Sequence, residues 1–497
     1  MMKIKRFLGW TLVALFALPA FAQKSAAPTG PDPSTLTQAQ IDSGESPQML
    51  YRLAAFYKQK GDLERMAWAL HRLTALLPNN GELKLALASV YAQQGEKTKT
   101  YDALLSMQKQ GFGYDLTNNA SAFAKVSDTK VWKYIVDSLA LNLKPFGEGK
   151  VAFTLPKGDY LFESLAFDPK RKQFLAGSVR EGKIYLVGKD GKLQDFISPD
   201  ASNGLWSVYG MAADPDNDAL YVASTSSVYF KNFKKEDFGK AGVFKFKLST
   251  GKLVEKYLLA PDSQPRTLSS VAVSKGHVFV ADGLRNLIYR VDGGALKPML
   301  ENPKLTSIRG LAASDDGKRL YFADYELGVF GIDLAAGKAF DLQYAGDKLV
   351  LGGVDGLYWY DGTLVAIENG MSPKRVMRLK LDADGRKIVQ TTPLDAANTA
   401  FALPTYGAID GDGLYFVANS QKNDYDSYGA PKDATKLAAV NVFRSNLRFA
   451  WDDQGIGTPR LGAPPGSMVP MSPSAPANAP GSLFNNVEAG VESGSGG

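Results

Sequence analysis

A short β-strand pattern that occurs six times is the feature that most constrains the fold of this chain. The copies are FESLAFD (162–168), VYGMAAD (208–214), LSSVAVS (268–274), IRGLAAS (308–314), VDGLYWY (354–360) and TYGAID (405–410). Each copy is followed by further short apolar strands, with turn sequences such as DPDND (214–218) between them. Short antiparallel strands in groups of four, repeated at this spacing, are typical of a β-propeller. The sequence therefore predicts six blades.

The sixth copy lacks a clear fourth strand after residue 444, but the segment VAFTL (151–155) precedes the first copy and can supply it. Closure of this kind leaves no free sheet edge. A β-sandwich is the alternative, but it would not show six in-register copies. We predict an all-β propeller over residues 149–446, with four antiparallel strands in each blade.

Residues 45–148 have a helical pattern that repeats with an offset of 34. The matched positions are Leu53 and Leu87, Ala54 and Ala88, Tyr57 and Tyr91, Gly61 and Gly95, Ala69 and Ala103, and Leu70 and Leu104. This offset is the tetratricopeptide period. Two repeats are visible, and the helical stretch 128–143 is expected to cap them. The fold class is therefore multidomain, with N-terminal α-helical repeats before the propeller.

The two ends of the chain have the composition of segments outside a fold. Residues 1–22 combine a basic start, a 12-residue apolar run (7–18) and an Ala-Phe-Ala site, which predicts a secretory signal peptide. Residues 23–44 are expected to be a flexible linker. Residues 447–497 are rich in Pro, Ser, Gly and Ala, which predicts a disordered tail. We expect the mature protein to be exported to the periplasm, without a membrane span.

Composition excludes several kinds of chemistry. The chain has no cysteine, so disulfides, thiol catalysis and a lipid-anchored cysteine are ruled out. Its two histidines, His71 and His277, are too few for a multi-histidine zinc site. We expect His277 at the surface or in a turn, and His71 at the surface or in the packing of a repeat helix. The net charge of +6 is spread over a long chain without a dense basic block. Nucleic-acid binding is therefore not predicted.

The second residue of each copy tops the strand that lines a propeller channel. In the order of the six blades these residues are Glu163, Tyr209, Ser269, Arg309, Asp355 and Tyr406. A core position would be aliphatic, so we expect these six, called the ring below, to meet at one axial cavity as binding residues. A second group ends the second strands and either extends the pocket or turns the chain: Asp282, Arg285, Asp324, Tyr325, Glu368, Asn369 and Asn419. Tyr209 and Tyr406 either stack on a ligand or pack between blades.

Three motifs give the propeller a resemblance to a known family. ESLAFD (163–168), the Asp-Gly-Leu of VDGLYWYDGTLVAIENG (354–370) and SDDGKRLYFAD (314–324) resemble the gluconolactonase-like propellers, which include regucalcin, also called senescence marker protein. The resemblance implies a divalent metal, typically calcium, held in the channel by a Glu, an Asn and an Asp. Glu163 and Asp355 match the Glu and the Asp. Arg309 stands at the Asn position.

Arg309 leaves two interpretations open, because a guanidinium is always charged and cannot coordinate a cation. In one, Glu163 and Asp355 bind calcium with help from Asn369 or Asn419. In the other, Arg309 bridges the two carboxylates as an ion cluster, and no cofactor is bound. Calcium prefers six to eight oxygen ligands, and a guanidinium among them would repel it. We favour the ion cluster, with calcium as the alternative.

Two functional hypotheses follow. In the first, the protein is an exported, non-catalytic binding or scaffold protein, whose helical repeats dock a protein or peptide partner and whose channel rim recognises a small-molecule ligand or partner. In the second, it is a calcium-dependent, gluconolactonase-like hydrolase of lactones or related esters, with Asp355 as metal ligand and base. A sugar- or quinone-cofactor enzyme on the same architecture is a third hypothesis, but no cofactor motif supports it.

Overall fold

The computed structural model describes residues 32–344, 346, 349–449 and 483. The predicted signal peptide (1–22) lies outside these residues, as does most of the predicted tail. The chain divides into two units, Met1–Leu36 and Thr37–Gly497. The described part of the first unit contains a 3₁₀ helix, Pro33–Thr35. In the described part of the chain, no helix is long and apolar enough to cross a membrane.

The second unit begins with helices. They are α1 (Gln38–Asp42), α2 (Pro47–Lys60), α3 (Leu63–Leu76), α4 (Gly81–Gln94), α5 (Lys97–Lys109), a 3₁₀ helix (Leu116–Val126) and α6 (Lys130–Leu141). α2 and α4 start 34 residues apart, as do α3 and α5. The ends of α2 and α4 repeat in the same way, because Gly61 and Gly95 end these helices in the left-handed conformation. The helical N-terminal part is therefore present, and its tetratricopeptide type stays a prediction.

Two predicted boundaries are wrong. The linker prediction (23–44) includes α1, which forms because Thr37 and Gln40 make a capping box and Ile41 is buried. The tail prediction (447–497) begins too early. Leu447 is fully buried in the sixth blade, and its backbone N–H donates to the Asp412 carbonyl.

Six antiparallel sheets follow the helices. Blade one contains β2 to β5 and is preceded by β1: β1 (Lys150–Leu155), β2 (Phe162–Asp168), β3 (Gln173–Ser178), β4 (Ile184–Val187) and β5 (Leu193–Ile197). Blade two has β6 (Ser207–Asp214), β7 (Ala219–Thr225), β8 (Ala241–Lys247) and β9 (Leu253–Leu258). Blade three has β10 (Leu268–Ser274), β11 (His277–Asp282), β12 (Leu287–Asp292) and β13 (Ala295–Glu301).

The remaining blades follow the same order. Blade four has β14 (Ile308–Ala313), β15 (Arg319–Asp324), β16 (Gly328–Asp333) and β17 (Lys338–Asp341). Blade five has β18 (Gln343–Tyr344), β19 (Val354–Tyr360), β20 (Thr363–Glu368), β21 (Arg375–Leu381) and β22 (Lys387–Ala396), with short β18 added parallel to β22. Blade six has β23 (Gly407–Asp410), β24 (Gly413–Val417) and β25 (Val440–Asn446). Short 3₁₀ helices lie in loops at Lys235–Asp237, Lys422–Asp424 and Ala434–Lys436.

The N-terminal strand β1 closes the propeller. It pairs antiparallel with β25, so the sixth sheet has the order β1, β25, β24, β23. This confirms the prediction that residues 151–155 supply the missing outer strand. Closure also involves Asp395 at the end of β22, which is 1% exposed and accepts hydrogen bonds from the Gly149 N–H at 2.8 Å and from the Ser445 hydroxyl. The six-bladed β-propeller fold is confirmed.

An irregularity at the ring position is shared by five of the six blades. In blades one to five, the register between the first and second strands shifts at the ring position, for example between Phe162 and Ser164. A β-bulge of this kind re-aims a side chain and is found next to active sites. The residue after each ring position is small, being Ser164, Gly210, Ser270, Gly310, Gly356 or Gly407 in turn.

Close approach of neighbouring blades explains why these positions are small. A Cβ added at Gly210 would stand 1.6 Å from the carbonyl oxygen of Ser269 in the next blade, and one at Gly310 would stand 2.7 Å from Leu357. The six first strands enclose an axial cavity of about 380 Å³, with Tyr406 of the ring in its wall. The ring therefore stands at one end of this cavity.

We predict that Gly210→Ala destabilises the chain by about 3 kcal/mol, because the new methyl group would overlap backbone that cannot move independently. Urea unfolding followed by tryptophan fluorescence measures this loss. Ser164→Ala, at the same position of blade one, is the matched control and should change the free energy of unfolding by less than about 1 kcal/mol. A Gly210→Ala variant as stable as the wild type would contradict this account of blade packing.

A second prediction concerns pH. Burial raises the pKa of Asp395 to about 6, while its hydrogen bonds to Ser445 and Gly149 oppose the shift. Since the unfolded carboxyl titrates at its ordinary value of 3.8, the folded state binds more protons between about pH 4 and pH 6. The free energy of unfolding should therefore fall by about 3 kcal/mol as pH rises through this window, and Asp395 should contribute no further change above it.

Urea unfolding of the wild type and of Asp395→Asn across pH 4 to 7 tests this prediction. The difference between the two profiles isolates Asp395 from the other buried carboxyls. We expect the variant to lack the fall and to gain stability relative to the wild type as pH rises. Parallel profiles would show that Asp395 does not titrate in this window.

Candidate functional site

The ring has two halves, and Arg309 organises the first. Its Nη1 lies 3.3 Å from Asp355 Oδ1, and its Nε donates to Ser307 Oγ at 2.9 Å. The guanidinium carbon lies 4.9 Å from the centre of the Tyr325 ring, in cation–π contact. Tyr406 donates its hydroxyl to the Arg309 carbonyl at 3.1 Å. Arg309 is thus held by neighbouring blades on several sides.

The side chains of this half differ in exposure. Asp355 is 5% exposed, whereas Arg309 is 36% exposed. Burial tends to lower the pKa of Arg309, but Asp355 and nearby groups outweigh it and raise that pKa. The cation is therefore permanent, and part of its surface faces the space above the ring.

Glu163 forms the second half. It is 5% exposed and accepts a hydrogen bond from the Ser420 hydroxyl. Burial raises the pKa of Glu163 and Asp355 adds to the rise, against the opposing effects of Lys422, Ser420 and Arg309. Glu163 therefore keeps its proton to a higher pH than an ordinary glutamate. A protonated carboxyl is both a donor and an acceptor.

Three further residues, Tyr209, Tyr406 and Ser269, complete the ring. Tyr209 is buried among Leu161, Val179, Tyr425 and Leu437. Its hydroxyl donates to Ser227 Oγ at 2.9 Å. This placement agrees with packing between blades rather than stacking on a ligand. Burial raises the pKa of the Tyr406 hydroxyl well above its ordinary value, so Tyr406 remains neutral. Ser269 is also buried at the ring.

Of the residues at the ends of the second strands, Tyr325 and Asn369 adjoin the ring. The Tyr325 hydroxyl donates to Asn369 Oδ1 at 2.8 Å, and Asn369 Nδ2 donates to the Pro404 carbonyl at 2.8 Å. This network fixes the tyrosine beneath the Arg309 guanidinium. Tyr325 and Asn369 therefore support the first half of the ring.

The other residues of this group hold the backbone or pair elsewhere. Asp282 accepts from the Thr267 N–H and Asp324 from the Thr306 N–H, both in loops before a first strand. Arg285 pairs with Asp262, Glu368 forms a buried ion pair with Arg375, and Asn419 bonds to the backbone of β25 and its approach. His71 and His277 are exposed, as expected.

Sequence reasoning missed Ser307, Ser420 and Lys422, which touch or influence the charged ring residues. Ser307 lies two positions before Arg309, and Ser420 and Lys422 follow the second strand of blade six. The position of Ser307 beside a ring residue was a signal in the sequence. The other two reach Glu163 from a sequence distance of more than 250 residues, which no local pattern reveals.

The ring does not fit a calcium ion. Among the described residues, no group of three or more His, Cys, Asp or Glu side chains could hold a metal. The guanidinium of Arg309 already contacts Asp355, and Ser420 holds Glu163. Calcium needs six to eight oxygens and an uncompensated negative charge. The ion-cluster hypothesis has Arg309 bridging Glu163 and Asp355. In the structure Arg309 pairs with Asp355, whereas Glu163 accepts its hydrogen bond from a serine.

The known proteins to which this chain is similar are solved structures. No family model and no curated protein matches the chain. A Thermus thermophilus protein assigned as an oxidoreductase (glucose dehydrogenase) matches with 15% identity and a TM-score of 0.40, over 60% of this chain and 99% of its own. A Xanthomonas campestris gluconolactonase matches with 13% identity and a TM-score of 0.39, over 62% and 92%.

A nidogen/laminin complex is also similar, with 16% identity and a TM-score of 0.35 over 47% of this chain and 80% of that one. The neighbours therefore include gluconolactonase and oxidoreductase propellers as well as a protein–protein complex. Similarity this low carries no information about activity. From its own topology, the protein is a six-bladed β-propeller with a helical N-terminal part.

We predict that Arg309→Asn creates a calcium site, because it removes the competing cation and adds an amide oxygen between Glu163 and Asp355. At calcium about one hundred times its Kd, the variant should gain about 2.7 kcal/mol of stability. Thermal unfolding with calcium and with chelator measures the gain. The wild type and the control Arg290→Asn, on the outer part of blade three, should show no shift. A calcium-dependent rise in the wild-type melting temperature would contradict the account of the ring.

Proposed function

We propose that the ring binds a small hydroxylated organic acid without a metal ion, and that this binding is the function of the propeller. The observation that carries the proposal is the state of Arg309. Its Nε and Nη1 have partners among the described residues, whereas no hydrogen bond from these residues occupies Nη2. The side chain is partly exposed, so the Nη2 face is available to a carboxylate, the anion for which a guanidinium is best suited.

Charge near the ring agrees with an anionic ligand. Two carboxyls, Glu163 and Asp355, stand near two cations, Arg309 and Lys422. Because the raised pKa of Glu163 favours its neutral form, the balance shifts towards positive charge when Glu163 is protonated. The negative charge of an incoming carboxylate would offset this excess of positive charge. This argument supports an acid over a neutral sugar of similar size.

The remaining polar groups suit hydroxyls. A protonated Glu163 offers both a donor and an acceptor, and the ring serine Ser269 and the hydroxyl of Tyr406 stand at the same level of the channel. A ligand with several hydroxyl groups could use the hydrogen-bonding capacity that remains on such a set, whereas an apolar ligand could not. Sugar acids have both features. Export to the periplasm and docking of a partner on the helical part remain predictions from the sequence.

Hydrolysis of lactones or related esters is a second candidate, favoured by one observation. Glu163 is a buried carboxyl with a raised pKa, which is the condition of a general acid. In that role it would donate its proton to the ring oxygen of a lactone as water adds to the carbonyl carbon and the C–O bond breaks. Asp355 is engaged by Arg309, so it is less suited than Glu163 to proton transfer. The donor set favours a metal-independent form of this reaction.

Calorimetric titration with D-gluconate tests the proposal. We expect binding that is unaffected by calcium or chelator and that is stronger than binding of D-glucose. Arg309→Met should weaken it by about tenfold or more, since a hydrogen bond to a charged group contributes about 1.5–3 kcal/mol. Arg290→Met is the matched control and should bind like the wild type.

Two outcomes would change the conclusion. Equal affinity for gluconate and glucose, or unchanged affinity in Arg309→Met, would overturn the role of Arg309 as the anion site. Chelator-insensitive hydrolysis of D-glucono-1,5-lactone that is lost in Glu163→Gln would establish the second candidate in place of simple binding.

A further inference from the structure

The helical part and the propeller share one apolar core. Val350 and Met371, from the two loops beside the inner end of blade five, are 2% and 4% exposed within a cluster of helical-part side chains. Next to Met371, the Gly113 N–H donates to the Ser372 carbonyl at 2.7 Å, and the Ser372 hydroxyl donates back to the Gly113 carbonyl at 2.6 Å. The helical part therefore cannot move away without exposing propeller residues.

A second, polar contact joins the helical part to blade four. Asn79 Nδ2 donates to the Glu326 carbonyl at 3.1 Å, and Asn80 Nδ2 donates to Glu326 Oε2 at 3.1 Å. The Asn80 side chain is fixed from its other end, because its Oδ1 caps α4 by accepting from the Leu83 N–H at 3.1 Å. Burial raises the pKa of Glu326, and the bond from Asn80 opposes this rise.

The loops that receive these contacts also carry the Arg309 half of the ring. Glu326 directly follows Tyr325, whose ring lies under the Arg309 guanidinium. The Tyr325 carbonyl accepts from the Gly353 N–H at 2.6 Å, and the Gly353 carbonyl accepts from the Asn369 N–H at 2.9 Å. Asp355 follows two residues after Gly353. A continuous set of contacts thus connects α4 with the Arg309–Asp355 pair.

The Glu163 half is held differently. Ser420 bonds to Glu163, and the neighbouring loops are joined by Arg180, which donates to Asp159 and to the Gly429 carbonyl. All of these residues belong to the propeller. The hydrogen bonds described above from residues 38–143 reach Glu326 and Ser372, in blades four and five. These helices therefore support the Arg309 half of the ring.

We propose that the helical part positions Arg309, with Asn80 and Glu326 as the positioning residues. This inference rests on the proposed function of the ring. Asn80 holds the Glu326 side chain and the neighbouring Asn79 holds the Glu326 carbonyl, so the residue that follows Tyr325 is tied to the start of α4. Tyr325 in turn supports the guanidinium. None of these residues needs to touch the ligand. Loss of the Asn80 donor would let Tyr325 shift and would widen the range of positions that Arg309 occupies.

The test uses Asn80→Asp in the full chain. An aspartate keeps the cap of α4, but it removes the Nδ2 donor and places a second carboxylate against Glu326. The matched control is Asn118→Asp, because Asn118 also donates to a carboxylate, Asp115, at 3.1 Å, but at the exposed start of the 3₁₀ helix Leu116–Val126. A rescue variant combines Asn80→Asp with Glu326→Gln, which restores a donor between the two side chains.

Two measurements follow the position of Arg309. The first is the rate at which phenylglyoxal modifies Arg309, read by mass spectrometry with Arg290 as internal reference, and it requires no ligand. The second is the Kd for D-gluconate. We expect Asn80→Asp to raise the modification rate and weaken gluconate binding, each by at least about threefold. The control should leave both unchanged, and the rescue variant should return both towards wild type.

Three results would contradict either the positioning role of Asn80 or the proposed ligand class. An unchanged Arg309 modification rate in Asn80→Asp, with or without a lower melting temperature, would show that the contact is merely structural and would overturn the inference. Absence of gluconate binding in the wild type would overturn the proposed ligand class, while the modification rate would still decide the positioning role. An equal rate increase at Arg290 would indicate general loosening of the fold and would also overturn the inference.

Discussion

Pairing of β1 with β25 is the interaction on which the rest of the structure depends. It joins the strand before blade one to the last strand of blade six, so the sixth sheet gains its outer strand and the ring of blades is closed. Closure fixes the distance of each first strand from the axis. Bulges in the first strands of blades one to five can then re-aim the side chains at the ring positions. Asp395, buried where β1 begins, ties the closing strand to blade five.

The chemistry at the axis is set by one residue. A carboxylate pair alone would attract a divalent cation, but Arg309 provides a fixed cation that pairs with Asp355 and stacks on Tyr325. This pairing is the basis of our proposal that the ring binds an anion instead of a metal ion. Glu163 is buried, which raises its pKa, and it accepts a hydrogen bond from a serine, so it supplies a polar group of a different kind.

Much of the fold was predictable because its signals are local and repeat. The six copies predicted the blades, the unpaired sixth blade predicted closure by residues 151–155, and the offset of 34 predicted the helix pairs. The boundaries at residues 38–42 and 447–449 were wrong because a capping box and a single buried leucine outweigh a polar composition. No sequence pattern decides between the two roles of Tyr209, because packing in the inter-blade core depends on residues far along the chain.

The sequence by itself determined the six repeat positions that we expect at the axis and that one of them is an arginine, since repeat position fixes depth in a blade. Only the tertiary structure decided their partners. Ser420 reaches Glu163 from across the closure, and Asn80 reaches Glu326 from another part of the chain. Such contacts join residues more than 240 positions apart. They form only when the closed ring of blades and the docked helices bring their loops together, which no local pattern encodes.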